Sequence, residues 1–345
     1  MGRRTTAAAT ALALCLAAAP GAEASESRVA GHALGQSPAE VRDYWTAERM
    51  REAQPLDAPA GEGDEAAPLA SAAAQPPDLE TDPSRDTAYP ERIHGRLFLT
   101  FGASDAACSA TVVRSFTRNL LLTAGHCVVS PSASGPQWAA NVAFVPGYRN
   151  NVRPFGTWPA TRLRAPGIWA FEGDISFDVG AINLVAGPSG PIQDALGARG
   201  VSFNRPPGSY KGKRFRIFGY PADPPAFYDG ERLILCDSRF QGFEKFTGAV
   251  KAGACHQQQG SSGGGWVLGG GLLNSVVSHG ACRTDSDACQ VTSGTYFGDL
   301  IFSLWAKAAG GLPKGRSKRI KNCRRKGKKA RRCLVRAQTF KPVVP

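Results

Sequence analysis

Three stretches of this sequence carry side chains that could do covalent chemistry. Asn119 to Val128, NLLLTAGHCV, runs an apolar strand into His126 and then directly into Cys127. Imidazole gives and takes protons near neutral pH, and a strand end beside a tied cysteine would hold it rigidly. Phe177 to Leu184, FDVGAINL, opens an alternating apolar strand with Asp178, 52 residues further on. A buried carboxylate of that kind can accept an imidazole N–H, fix its tautomer and stabilise the imidazolium that forms during proton transfer. Gln257 to Val267, QQQGSSGGGWV, sets Ser261 and Ser262 among glycines. There backbone N–H groups can converge without side-chain obstruction, and a hydroxyl can reach a carbonyl. Each stretch alone is a weak signal, since a strand-end histidine is usually structural and a Gly/Ser run is usually a linker.

The elements that must position these groups are short strands. Leu97 to Phe101, Ala110 to Arg114, Leu120 to Thr123, Ile182 to Val185, Arg214 to Phe218 and Ser275 to Ser278 alternate with Gly, Pro, Asn and Asp turns. That rhythm predicts an all-β sandwich or barrel between about Ile93 and Gly310, with one helix at its end, Asp299 to Ala309. At 345 residues, 42% hydrophobic and 20% charged, the chain can bury one or two cores. A wholly disordered or collagen-like polymer is excluded.

Charge separates the flanks. Residues 1–24 read as an export signal, with Arg3 and Arg4 before an apolar run and Ala22-Glu23-Ala24 as the cleavage site. That run is too short to span a bilayer, and no later segment is long and apolar enough, so an exported, extracellular monomer is expected. Residues 25–92 carry 14 acidic and 6 basic residues and much Ala and Pro, which predicts a loosely ordered propeptide or linker. Within it, Ser37 to Met50 has a helix-capping start and helical spacing of Val41, Tyr44 and Trp45, consistent with a short docking helix. Residues 311–345 hold 14 basic residues and no acidic one, so the net charge of +13 belongs to this tail. Such a tail either solubilises the protein or retains it on an anionic cell-surface polymer. Nucleic acid as a dedicated partner is not expected, because the tail could offer it only sequence-independent phosphate contacts.

Setting aside Cys15 in the signal leaves Cys108, Cys127, Cys236, Cys255, Cys282, Cys289, Cys323 and Cys333, an even number bound for an oxidising compartment. Disulfides between neighbours are expected. With no C-x-x-C pair and few histidines, neither a metal nor another cofactor is expected. A Cys108–Cys127 bond would close about 18 residues, worth roughly 3 kcal/mol in the chain-entropy account.

The run CSATVV followed by LTAGHC resembles the N-terminal half of the trypsin/chymotrypsin-like serine peptidases. The resemblance implies two packed six-stranded antiparallel β-barrels with the active site between them, across about 220 residues of the 93–310 peptidase domain. It implies His126 as general base and Asp178 as its partner, in preference to Asp174, which opens no comparable strand. GSSGGG from Gly260 to Gly265 is similar to the family's G-D-S-G-G-P, which makes Ser262 the nucleophile and the N–H groups of Gly260 and Ser262 the oxyanion hole. It implies an acyl-enzyme mechanism on a polypeptide substrate, with activity rising through roughly pH 6 to 7 as imidazole loses its proton. Asn274 to Gly280 resembles the family's substrate-aligning strand, with Ser278 supporting Asp178 and Gly280 leaving room for substrate.

The chain departs from trypsin in instructive places. Ser261 stands where trypsin has an aspartate, so a new N-terminal amine cannot lock the oxyanion loop by pairing there; other hydrogen bonds must hold it. Gly265 replaces the motif's proline. In the second half, Cys236–Cys255 with Cys282–Cys289 is the compact pairing, while Cys255–Cys282 would follow trypsin. His256 stands where basic-residue specificity needs a carboxylate, which disfavours cleavage after Lys or Arg. His279, with Gly219-Tyr220-Pro221 and the acidic propeptide, resembles the glutamyl endopeptidase branch, implying that His279 receives an acidic side chain. Rival readings are a barrel protein that binds without catalysis, and an adhesin-like anchor working through the tail.

Overall fold

Period-two alternation lays out the first barrel of the computed structural model. Along His94–Phe101 (β1), Leu97 and Leu99 enter one buried cluster while Phe98 enters another on the opposite face. Leu121 does the same against Leu120 and Leu122 in Leu120–Thr123 (β3). With Ser104–Val112 (β2), Ala140–Pro146 (β4), Trp158–Pro166 (β5) and Gly180–Leu184 (β6), these strands pair in the closed ring β5-β6-β3-β2-β1-β4. The β4–β5 pairing Trp158↔Phe144 completes the circle.

The second ring is built from Arg214–Gly219 (β7), Ile234–Phe243 (β8), Val250–Gly253 (β9), Gly265–Leu268 (β10), Leu272–Ala281 (β11) and Val291–Gly294 (β12). Its order is β10-β7-β8-β9-β12-β11, closed by β10 on β11. Phe215, Ile217, Trp266 and Val277 fill its interior. The outward faces of the two rings, through Phe98, Leu122, Phe218 and Val276, share one apolar cluster. The expected pair of six-stranded antiparallel barrels is therefore present, followed by the helix Asp299–Ala308, which buries Ile301, Leu304, Trp305 and Ala308 at helical spacing. The structure describes residues 29–56, 79–80, 83–222, 228–253, 255, 257, 259–281, 291–325 and 330–345.

Both flanks are more ordered than their composition predicts. Val29–Ala33 pairs with β5 and extends the first sheet. The helices Pro38–Tyr44 and Ala47–Glu52 follow, the first opened by a capping box between Ser37 and Glu40. Val41, Trp45 and Met50 are buried against the barrel, and Trp45 packs on Phe98. At the other end, Lys314–Arg324 and Ala330–Ala337 form two helices joined by Cys323–Cys333. Thr339–Phe340 then pairs with Gly200–Ser202, which itself runs parallel to β11. Phe340 lies 4.2 Å from Trp305, ring centre to ring centre. Average composition misled here because docking onto a finished barrel needs only a few apolar side chains per turn, not a core of its own. The folded unit thus reaches well beyond residues 93–310.

Candidate active site

His126 follows directly from β3, and its ring is gripped from one side. Its Nδ1 lies 2.9 Å from Asp178 Oδ2, while its backbone N–H donates to Asp178 Oδ1 at 2.8 Å. Asp178 is fully buried just before β6, the neighbour of β3 in the ring. It also accepts the Ser278 hydroxyl at 2.6 Å, and its backbone carbonyl accepts from Thr295 Oγ1 at 3.1 Å. Burial alone would raise the Asp178 pKa. The charge and N–H of His126, the Ser278 hydroxyl and the His126 backbone N–H outweigh it, holding the carboxyl below its ordinary value. Asp174, the competitor in sequence, instead caps a short 3-10 turn by accepting from Ser176 N–H.

Gly125 leaves room for this arrangement. A Cβ there would stand 2.7 Å from the Trp169 ring and 2.9 Å from Asp178 Oδ1. With Nδ1 turned to Asp178, the buried Nε2 of His126 has no hydrogen-bond partner among the described residues. The ring also lies within 4.8 Å of the sulfurs of Cys108 and Cys127, but these are bonded to each other, which leaves no thiolate to hold a metal.

Ser262 arrives from the second barrel on a tight turn in which Gly264 N–H donates to Ser261 O at 2.7 Å. The turn is stitched to both barrels. Ser109 N–H donates to Ser262 O at 2.8 Å, Gly263 N–H to Val277 O at 2.8 Å, and Val277 N–H to Gly264 O at 2.8 Å. Ser109 Oγ donates to Gly260 O and accepts from Tyr220 N–H, each at 2.9 Å. These bonds stabilise the loop in place of the missing aspartate. Gly263 has φ +82°, and a Cβ there would lie 2.0 Å from Thr123 Oγ1, so the position excludes any other residue. Cys127, bonded to Cys108 at the head of this strand pair, points its sulfur at Ser262 O, 3.7 Å away. Ser262, like His126, is buried. Among the described residues the N–H groups of Gly260 and Ser262 have no hydrogen-bond acceptor.

The remaining sequence-selected residues fare unequally. Gly280 lies exposed on β11. Cys236–Cys255 is formed, which excludes Cys255–Cys282; Cys282 and Cys289 lie outside the described residues, as does His256. His279 is not free to receive an acidic side chain, because its Nε2 already faces both oxygens of Glu244 at 3.1 Å. Sequence reasoning missed Glu244 and Ser109. Ser109 stood in plain view after Cys108 in CSATVV, whereas nothing in the run around Glu244 distinguishes it from a solvated turn.

The comparisons point to the same fold. The chain is 30% identical to the protease Anisep from Arthrobacter nicotinovorans, covering 64% of this chain and 96% of that one, with a TM-score of 0.56. It is 29% identical to AL20, a thermostable serine protease from an extremophilic microorganism, over 64% of this chain and 98% of that one, with a TM-score of 0.57. A Glu endopeptidase shares the fold at 19% identity, over 68% of this chain and 96% of that one, with a TM-score of 0.52. No protein-family profile and no curated protein matches the sequence. The chain belongs to the chymotrypsin-like serine peptidase family.

Proposed function

We propose that the protein is a secreted serine endopeptidase in which His126, Asp178 and Ser262 form the triad. The observation that carries this reading is the His126–Asp178–Ser278 cluster. The carboxylate fixes Nδ1 as the protonated nitrogen and leaves the buried Nε2 without a partner among the described residues, available to take a proton. His126 takes the Ser262 proton as the oxygen attacks a substrate carbonyl. The oxyanion is received by the N–H groups of Gly260 and Ser262, and the leaving amine takes the proton back from His126. Water then repeats the cycle on the acyl-enzyme. A serine-directed fluorophosphonate should label the protein, and Ser262→Ala should abolish labelling and peptide hydrolysis together. Labelling that survives the substitution rejects the assignment.

Residues 1–24 are proposed as the export signal, and a cut within 57–78 as the maturation step of a zymogen. Removal of residues 29–56 is less compatible with the fold, since Val41, Trp45 and Met50 cover the barrel. The tail is proposed to retain the enzyme on an anionic cell-surface polymer. What favours this over simple solubilisation is that a folded hairpin fixes Lys318, Arg319, Lys321, Arg324, Arg331 and Arg332 as exposed cations on one frame, with no acidic residue in the segment. Reversing the charge of three of these residues should lower the salt needed to elute the protein from an anionic resin while leaving turnover unchanged; an unchanged elution point removes this role.

A further inference from the structure

The strongest unexplained feature lies behind the triad, where a second histidine and a second carboxylate continue its hydrogen bonds. Ser278 Oγ is 2.6 Å from Asp178 Oδ2 and 3.1 Å from His279 Nδ1. His279 Nε2 is 3.1 Å from each oxygen of Glu244, which also accepts the Ser293 hydroxyl and, at 2.5 Å, that of Thr247. The side chains come from three elements: Ser278 and His279 from β11, Ser293 from the paired strand β12, and Glu244 and Thr247 from the turn after β8. Lys251 on β9 stands opposite Ser293 in the same sheet.

Counting protons orders the bonds around Ser278. An ionised Asp178 can only accept, so Ser278 spends its single hydrogen there. Its bond to His279 then uses an oxygen lone pair, and Nδ1 must donate. Burial would raise the Glu244 pKa, but the hydrogen bonds from His279, Ser293 and Thr247 outweigh it and hold it at about 2. Glu244 is therefore an acceptor too, and it faces Nε2 with both oxygens. The ring thus bridges the Ser278 hydroxyl on one side and the Glu244 carboxylate on the other.

We propose that His279 and Glu244 form a positioning pair for the triad, locking the Ser278 hydroxyl in the orientation that gives its proton to Asp178. Neither residue touches the reacting atoms. Glu244 orients the ring, the ring occupies the lone pair of Ser278, and the only direction left for the hydroxyl hydrogen is the carboxylate that holds His126. This rests on the triad reading above, and it assigns His279 to the enzyme's own aspartate instead of to an acidic substrate.

The test is steady-state hydrolysis of three chromogenic peptide amides differing only in Glu, Ala or Arg before the cleaved bond. Wild type is compared with Glu244→Gln, His279→Ala and His279→Asn, alongside fluorophosphonate labelling rates and thermal unfolding of each. Loss of the lock should lower kcat about tenfold in Glu244→Gln and His279→Ala, equally for all three substrates, with KM within about twofold. His279→Asn keeps a donor at the Nδ1 position and should restore most of kcat, which a merely structural role would not do. Variants with undiminished kcat and labelling rate overturn the pair, as does an effect confined to the Glu substrate. If His279→Ala fails to fold, the Glu244→Gln and His279→Asn pair decides the matter. A wild type that neither labels nor hydrolyses overturns the peptidase reading and this inference with it, whereas a labelled, active wild type with undiminished variants overturns the pair alone.

Discussion

The two barrels contribute to the site by different physical means. The first supplies side chains: His126 and Asp178 stand at the ends of paired strands and hold each other through two bonds of 2.8 and 2.9 Å. The second supplies the Ser262 side chain and the Ser278 hydroxyl, and it holds Ser262 by backbone geometry. Its turn from Gly260 to Gly264 depends on positive φ at Gly260 and Gly263, on close approach to Ser109 and Thr123, and on carbonyl and N–H groups shared with Val277. The difference teaches that one half should fail by losing chemistry in an intact fold, and the other by losing the fold around intact chemistry.

Asp178→Asn gives the largest expected effect and the cleanest break. An amide of the same shape keeps the packing but favours the wrong imidazole tautomer, so kcat should fall by about four orders of magnitude with little change in the unfolding midpoint. Gly263→Ala should do the reverse in kind. Its Cβ would meet Thr123 Oγ1 at 2.0 Å and Ser109 O at 2.3 Å with φ at +82°. Destabilisation of about 2 to 4 kcal/mol is expected, read as a lower urea midpoint. If Asp178→Asn lost stability and Gly263→Ala lost only rate, the division between the barrels would be wrong.

The same division explains what could be read from the sequence. Leu120–Thr123 was legible to the residue, and the helix Asp299–Ala308 to within one, because each shows its period without interruption. The candidates His126, Asp178 and Ser262 stood out because each sits in a local pattern, strand end, strand start and glycine turn, and the structure brings the first two into contact. Trp158–Pro166 escaped, since its prolines and arginines hide a strand that pairs along both of its edges, with Gly180–Leu184 and Ala140–Pro146. Glu244 escaped for a deeper reason. Its role depends on Ser293 and His279, 49 and 35 residues away, and only the closed second ring brings them together. Of the flanks, the docking helix after Ser37 was legible through its cap and its spacing, whereas the C-terminal hairpin escaped because local composition cannot reveal the surface onto which Phe340 docks.

Glu244 also offers the smallest and most discriminating effect, because its contribution has a defined place on the pH scale. A carboxyl held at about 2 in the folded chain, against an ordinary value of 4.5, stabilises the fold wherever it is ionised in both states. The contribution is fully present above about pH 4.5 and is lost as the pH falls toward 2, because the unfolded chain binds the proton first. In Glu244→Gln this dependence is absent. The gap in urea midpoint between wild type and variant should therefore be widest near neutrality and narrow steadily between pH 4.5 and 2. Asp178, also held below its ordinary value, is common to both proteins and drops out of the difference. A gap that stays constant through that window would mean that Glu244 binds its donors no more tightly than water does, and Glu244 would then contribute nothing electrostatic to the second barrel.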